Sequence, residues 1–183
     1  MLCNKCKFCE SCGEEIKPLQ KVTTSKFPIW ETLTLGLHKS PESYEQALES
    51  NGFKIGDWTR QILKKIVCEQ APTEIQLGSA TVAELGLPKG GTTDQLHAAL
   101  RALGLELCPA EVGPALRLLL KDQPKGEWLW LAMEAIASSD DDLRVFGVGT
   151  SADGLWLFTV DGHPGRRFDA GDRVVFAVPA QVS

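Results

Sequence analysis

Apolar positions follow two periods along the chain, with helical spacing dominating up to residue 114 and alternation setting in from Ala115. The first part predicts strands at residues 32–37 and 74–82. It also predicts helices that begin at Ser40-Pro41, Asp57 and Thr92, which carry N-cap signals, and a short helical turn after Cys108 that ends at Gly113-Pro114. The helix after Thr92 has the clearest apolar stripe.

The alternating second part predicts strands separated by turn residues. Their ranges are 115–121, 127–136, 143–149, 155–160 and 173–178. Asp153-Gly154 is a typical hairpin turn. We therefore expect an α+β fold, in which an N-terminal strand and helices precede a C-terminal antiparallel meander of about five strands.

Four cysteines stand at every third position near the start of the chain: Cys3, Cys6, Cys9 and Cys12. Four thiolates favour a structural zinc site, because they fill the coordination sphere and leave no position for water. The two pairs are separated by only two residues, which is short for wrapping one ion. An iron–sulfur cluster is the alternative, although the spacing differs from the ferredoxin motif.

Composition and charge place the chain among ordinary globular proteins. Of its 183 residues, 43% are hydrophobic and 23% charged, and the net charge is −5. This charge makes nucleic acid an unlikely partner. No signal peptide and no membrane span are visible, so we expect a cytoplasmic protein, in which clustered cysteines bind metal more often than they form disulfides.

Composition also divides the chain. Residues 1–13 form the cysteine-rich metal-binding segment, residues 14–29 have the composition of a linker, and residues 30–183 are predicted to form a single α+β domain. With this length the domain can bury a core of ordinary size.

From about residue 27 to residue 178 the chain resembles a group of short uncharacterised bacterial proteins. The resemblance rests on LHKS at residues 37–40, IGDW at 55–58, LELCPAEVGP at 105–114, KDQPKGEWL at 121–129 and the Met-Glu pair at 133–134. No activity is established for that group, so the resemblance implies no chemistry.

The chain departs from the group in three places. Ala135 stands where the group has proline, the basic tail is absent, and the N-terminal cysteines are not part of the pattern. The cysteine segment is therefore interpreted as an appended module.

Three tryptophans are the candidate partner face. Trp128 and Trp130 share one face of a predicted strand, and Trp156 stands on the next hairpin. If that sheet face is open, the rings would bind a sugar, a base or a partner protein, and a protein partner is the one expected here. Burial in a core or under residues 1–30 is the alternative, because aromatic side chains are usually buried.

The long loop between the last two predicted strands is the candidate catalytic site. It carries His163, Arg166, Arg167 and Asp169. A histidine with arginines could act on a phosphodiester, as in a small hydrolase or ribonuclease-like enzyme. The same charges also suit a solvated ion-pair loop.

No nucleotide-binding, zinc-protease or serine-hydrolase motif occurs, and the acids Glu111, Asp122, Glu127 and Glu134 are expected at the surface. We therefore expect a non-enzymatic interaction module with a structural metal.

Overall fold

The computed structural model of the chain describes residues 27–180. This part of the chain contains four helices, α1 to α4: Pro41–Ser50, Asp57–Leu63, Thr93–Ala102 and Val112–Leu119. The strands, β1 to β10, are Glu31–Leu35, Lys54–Ile55, Thr73–Thr81, Gly91–Thr92, Trp128–Leu131, Ile136–Ala137, Leu143–Ser151, Gly154–Asp161, Arg167–Phe168 and Arg173–Val178.

Most of the strands form one eight-stranded sheet in the order β1-β3-β10-β5-β7-β8-β2, with β6 paired to β7. Neighbours are antiparallel except at β10–β5 and β2–β8, which are parallel. Strands β4 and β9 form a separate two-stranded ribbon. The mixed α/β architecture with a mostly antiparallel sheet is as expected, but the sheet has more strands than the predicted meander.

The sheet has a hydrophobic core on each face. Alternation in β10 shows the division, since Val175 and Ala177 belong to one core and Val174 and Phe176 to the other. The first core lies against α1, α2 and α4, and the second lies against α3. Helix α3 covers only β3, β10 and part of β5, so the second face over β7 and β8 has no helix within the described residues.

Local capping signals fixed two helix starts as predicted. The Ser40 hydroxyl accepts from the Ser43 N–H, and Thr92 makes the corresponding capping box with Gln95. At α2 the N-cap is Gly56, and Asp57 is the first helical residue rather than the cap. The strands predicted at residues 32–37, 74–82, 143–149, 155–160 and 173–178 are all present with small shifts at their ends.

The strand predicted at residues 115–121 is wrong, because this segment belongs to α4. Pro114 is the third residue of that helix, where its missing N–H costs no intrahelical bond, so the Gly113-Pro114 pair begins a helix instead of ending one. The one charged residue of α4, Arg117, is buried whereas Leu119 is 44% exposed, so the polarity of the sequence does not mark the face of the helix that meets the core.

The long strand predicted at residues 127–136 and the simple meander are also wrong. The segment divides into β5 and β6, because Ala132 accepts a hydrogen bond from the Cys108 N–H and donates to Val175. The last strand, β10, enters between β3 and β5 instead of extending a meander. No helix within residues 27–180 has the length and apolar composition to cross a bilayer.

Candidate interaction surfaces

Four aromatic side chains occupy the sheet face that α3 leaves open, and we call Trp128, Trp130, Trp156 and Phe158 the aromatic cluster. The strand register explains why they meet: Gly149 of β7 lies between Trp128 and Trp156, and Gly147 lies between Trp130 and Phe158. Ring centroids of Phe158 lie 5.0 Å from Trp128 and 5.4 Å from Trp130, both in edge-to-face geometry.

The two glycines of β7 are required for this packing. A Cβ at Gly149 would lie 2.4 Å from the Trp128 ring, and a Cβ at Gly147 would lie 2.4 Å from the Phe158 ring. The Trp128 ring, on β5, therefore packs against the backbone of Gly149, and the Phe158 ring, on β8, packs against the backbone of Gly147. The result is a continuous cluster in which the Phe158 ring stands nearly perpendicular to the rings of Trp128 and Trp130.

Exposure is uneven across the aromatic cluster. Trp128 is 41% exposed, whereas the other three rings are partly buried. The Trp156 indole N–H donates to the Ser151 hydroxyl at 2.9 Å, and the Lys54 ammonium lies 5.4 Å from the Trp156 ring centroid. The structure thus leaves Trp128 as the large apolar group that this face presents to solvent.

The loop proposed for catalysis meets the aromatic cluster through Arg166. Its guanidinium lies 4.8 Å from the ring centroid of Trp130 and 4.1 Å from that of Phe168, and burial lowers its pKa. Arg167 is exposed on β9. The arginine that would act as a charge clamp is therefore engaged with aromatic rings.

His163 has an acidic neighbour. Its Nδ1 lies 2.6 Å from Asp161 Oδ1, and the same carboxylate accepts the His163 N–H, which lowers the pKa of Asp161. The exposed Asp169 donates its backbone N–H to the Asp172 carboxylate. In these contacts the acids of the loop accept hydrogen bonds from other residues of the same loop. The hydrolase interpretation stays a prediction.

Glu111 was expected at the surface and is instead 1% exposed. Its Oε1 accepts the Gly36 N–H at 2.8 Å and the Tyr44 hydroxyl at 2.7 Å, and its Oε2 accepts the Glu69 N–H at 2.7 Å. Burial and the bond to Glu111 raise the pKa of Tyr44, so the phenol remains a donor. This carboxylate joins α1, α4 and two loops, and no local sequence signal marks it.

The other three acids of that group, Asp122, Glu127 and Glu134, are exposed or partly exposed. The structure does not bring them to Glu111 as hydrogen-bonded partners. The hydrogen-bond partners of the Glu111 carboxylate are two main-chain N–H groups and a hydroxyl, all of them donors.

The cysteine quartet, Cys3, Cys6, Cys9 and Cys12, lies outside the described residues. Cys68 and Cys108 are free and buried, and burial raises the pKa of each thiol. No group of three or more His, Cys, Asp or Glu side chains suited to a metal occurs within residues 27–180.

Comparison with known proteins adds no assignment. No protein-family model matches the chain, and neither a curated protein nor a solved structure matches it.

Proposed function

We propose that the protein is a non-enzymatic interaction module whose aromatic cluster binds a protein partner. The observation that carries this proposal is the exposure of Trp128 on a sheet face that no helix of residues 27–180 covers. Large aromatic side chains in such a position are typical binding hot spots, since burying one removes a large apolar area from water. The partner is expected to present an apolar side chain or ring to Trp128.

The proposal predicts that Trp128→Ala weakens partner binding by about 2 kcal/mol, roughly thirtyfold in Kd. The partner would be identified by a photo-crosslinking amino acid at position 128 and then purified for calorimetry. Trp58→Ala is the matched control, because Trp58 is 43% exposed, belongs to α2 and packs on Arg144, away from the aromatic cluster. Thermal unfolding of both variants would verify that they are folded.

Equal affinities for Trp128→Ala and Trp58→Ala would contradict the aromatic cluster as the partner face. The aromatic cluster would also be contradicted as the partner face if a crosslinker at position 58 captured the same protein as one at position 128.

We further propose that the cysteine quartet binds a structural zinc ion that braces the N-terminal segment. Support comes from the repeated spacing of four thiol donors, which together can fill a tetrahedral coordination sphere. An iron–sulfur cluster is the alternative ligand of the same thiolates.

Elemental analysis of the full chain, purified without chelator, is expected to find about one zinc ion per chain. Replacement of all four cysteines of the quartet by serine should abolish it, whereas Cys68→Ala should leave it unchanged. A brown protein that contains iron would favour the cluster. Absence of both metals, together with rapid alkylation of the quartet, would refute metal binding.

A further inference from the structure

Strand β1 ends the large sheet and pairs only with β3 among the described strands. The direction of its main-chain groups follows from the neighbouring strands. Ala177 of β10 exchanges both main-chain hydrogen bonds with Glu106, at 2.9 and 3.0 Å, so its N–H and C=O point away from β3. Leu77 lies directly opposite Ala177, and its main chain must therefore point to β1.

The same alternation shows which main-chain groups of β1 are not bonded to β3. Leu77 pairs with Glu31 and also accepts the Trp30 N–H at 2.7 Å, so Glu31, Leu33 and Leu35 bond to β3. The N–H and C=O groups of Thr32 and Thr34 consequently face away from the sheet. An edge of this kind is a template for another extended chain.

An apolar groove of about 310 Å³ runs beside this edge on the side of α4. Thr32 and Thr34 line it together with Leu118 and two exposed leucines, Leu37 at 66% and Leu119 at 44% exposure. A strand added to β1 would place alternate side chains against these leucines.

The opposite side of the same edge is acidic. A second cleft of about 410 Å³ contains Thr32, Glu74 and Glu106, and none of its lining residues is Lys or Arg. Side chains at the intervening positions of an added strand would lie two strand spacings, about 10 Å, from Glu74 of β3, a distance that a lysine side chain can span. Glu106 lies beyond β10 and is out of reach. The two sides of the edge therefore favour different residues, apolar on one and basic on the other.

We propose that β1 binds an extended segment of a partner polypeptide by strand addition, and that this segment alternates apolar and basic residues. The free main-chain groups of Thr32 and Thr34 supply its backbone hydrogen bonds, and the leucine groove and Glu74 select its side chains. This site is separate from the aromatic cluster, which lies on β5, β7 and β8 farther along the sheet. It does not depend on the partner proposed for Trp128.

The probe is a synthetic heptapeptide with blocked ends that alternates leucine and lysine, added to the isotope-labelled full chain and followed by NMR. Amide signals of residues 31–35 are expected to shift, and the Thr32 and Thr34 amides should become protected from hydrogen exchange. Thr34→Pro should weaken binding roughly tenfold, because it removes an outward N–H and leaves the β1–β3 bonds intact. Thr34→Ala keeps that N–H and is the matched control.

A second probe tests the mechanism without changing the protein. The same peptide N-methylated at every residue keeps its charge and side chains but has no main-chain N–H left on either edge, and it should not bind. Equal binding of both peptides, or equal affinities of Thr34→Pro and Thr34→Ala, would overturn strand addition.

Experiments without added peptide would detect two other possible occupants of the β1 edge. Protection of the Thr32 and Thr34 amides in the monomer without peptide would mean that the chain's own residues fill the edge. Concentration-dependent dimerisation that Thr34→Pro abolishes would mean that a second copy does. Either result would overturn a partner segment as the occupant.

Discussion

Replacing Glu111 by glutamine is expected to lower the free energy of unfolding by about 3 kcal/mol. Three donors bind this carboxylate: the N–H groups of Gly36 and Glu69 and the hydroxyl of Tyr44. A glutamine can accept at only one of its two terminal atoms, so its NH2 group would face a buried donor. The loss of a charged acceptor adds to this cost, since hydrogen bonds to charged groups are the stronger ones.

Urea unfolding followed by tryptophan fluorescence would measure this effect. Glu106→Gln is the control for charge, because Glu106 is exposed. Tyr44→Phe removes one of the three donors and should cost about 1 kcal/mol, less than Glu111→Gln. A Glu111→Gln variant within about 0.5 kcal/mol of the natural chain would show that the bonds to Gly36 and Glu69 contribute little.

Position 36 shows why the carboxylate has such a large expected effect. Gly36 has φ of +73°, and a Cβ there would lie 2.4 Å from the Ala71 carbonyl oxygen. The backbone therefore approaches the loop at residues 69–71 closely, and the Glu111 carboxylate binds the N–H groups on both sides of this approach. Without the Glu111 carboxylate, the N–H groups of Gly36 and Glu69 would lose their hydrogen-bond acceptor.

Elements with local signals were predictable from the sequence. Helices α1 and α3 begin at capping boxes complete within four residues, and β7 and β8 flank an Asp-Gly turn. The failures at α4 and β5 have separate causes. In α4 the charged Arg117 is buried and Leu119 is exposed, so polarity does not mark the face that meets the core. In β5 the alternation is present, but the strand ends where Ala132 bonds to Cys108.

The candidate surfaces were only partly predictable, for a different reason. Alternation placed Trp128 and Trp130 on one face, but the uncovered state of that face depends on which helices pack where. The burial of Glu111 depends on loops far away in the sequence, and the open edge of β1 depends on β10 entering the sheet beside β3. Such long-range pairings leave no mark in a local pattern.

Truncating Arg117 to alanine is expected to destabilise the protein by about 4 kcal/mol. Arg117 is 0% exposed, and its guanidinium has no acidic partner among the hydrogen bonds and ion pairs of the described residues. It donates instead to the Gln123 side chain at 2.7 Å and to main-chain oxygens of Leu120, Gly149 and Trp156. Alanine would leave a cavity beside these unsatisfied acceptors.

Arg117→Met separates the packing of this side chain from its charge. Burial lowers the pKa of Arg117 to about 10, so the guanidinium is still charged at neutral pH, and its desolvation lowers the stability of the folded protein at any pH below that value. Methionine removes this penalty and keeps most of the volume beside Phe53, whose ring centroid lies 5.1 Å from the guanidinium carbon. It still leaves the acceptors without a donor.

We therefore expect Arg117→Met to cost about 2 kcal/mol, less than Arg117→Ala, when both are measured by urea unfolding at neutral pH. Arg101→Ala, an exposed arginine on α3, should change stability by no more than about 0.5 kcal/mol. If Arg117→Met matched or exceeded the natural chain in stability, the desolvation of the charge would outweigh its hydrogen bonds. In that event Arg117 would not be what stabilises the contact of α4 with β7 and β8.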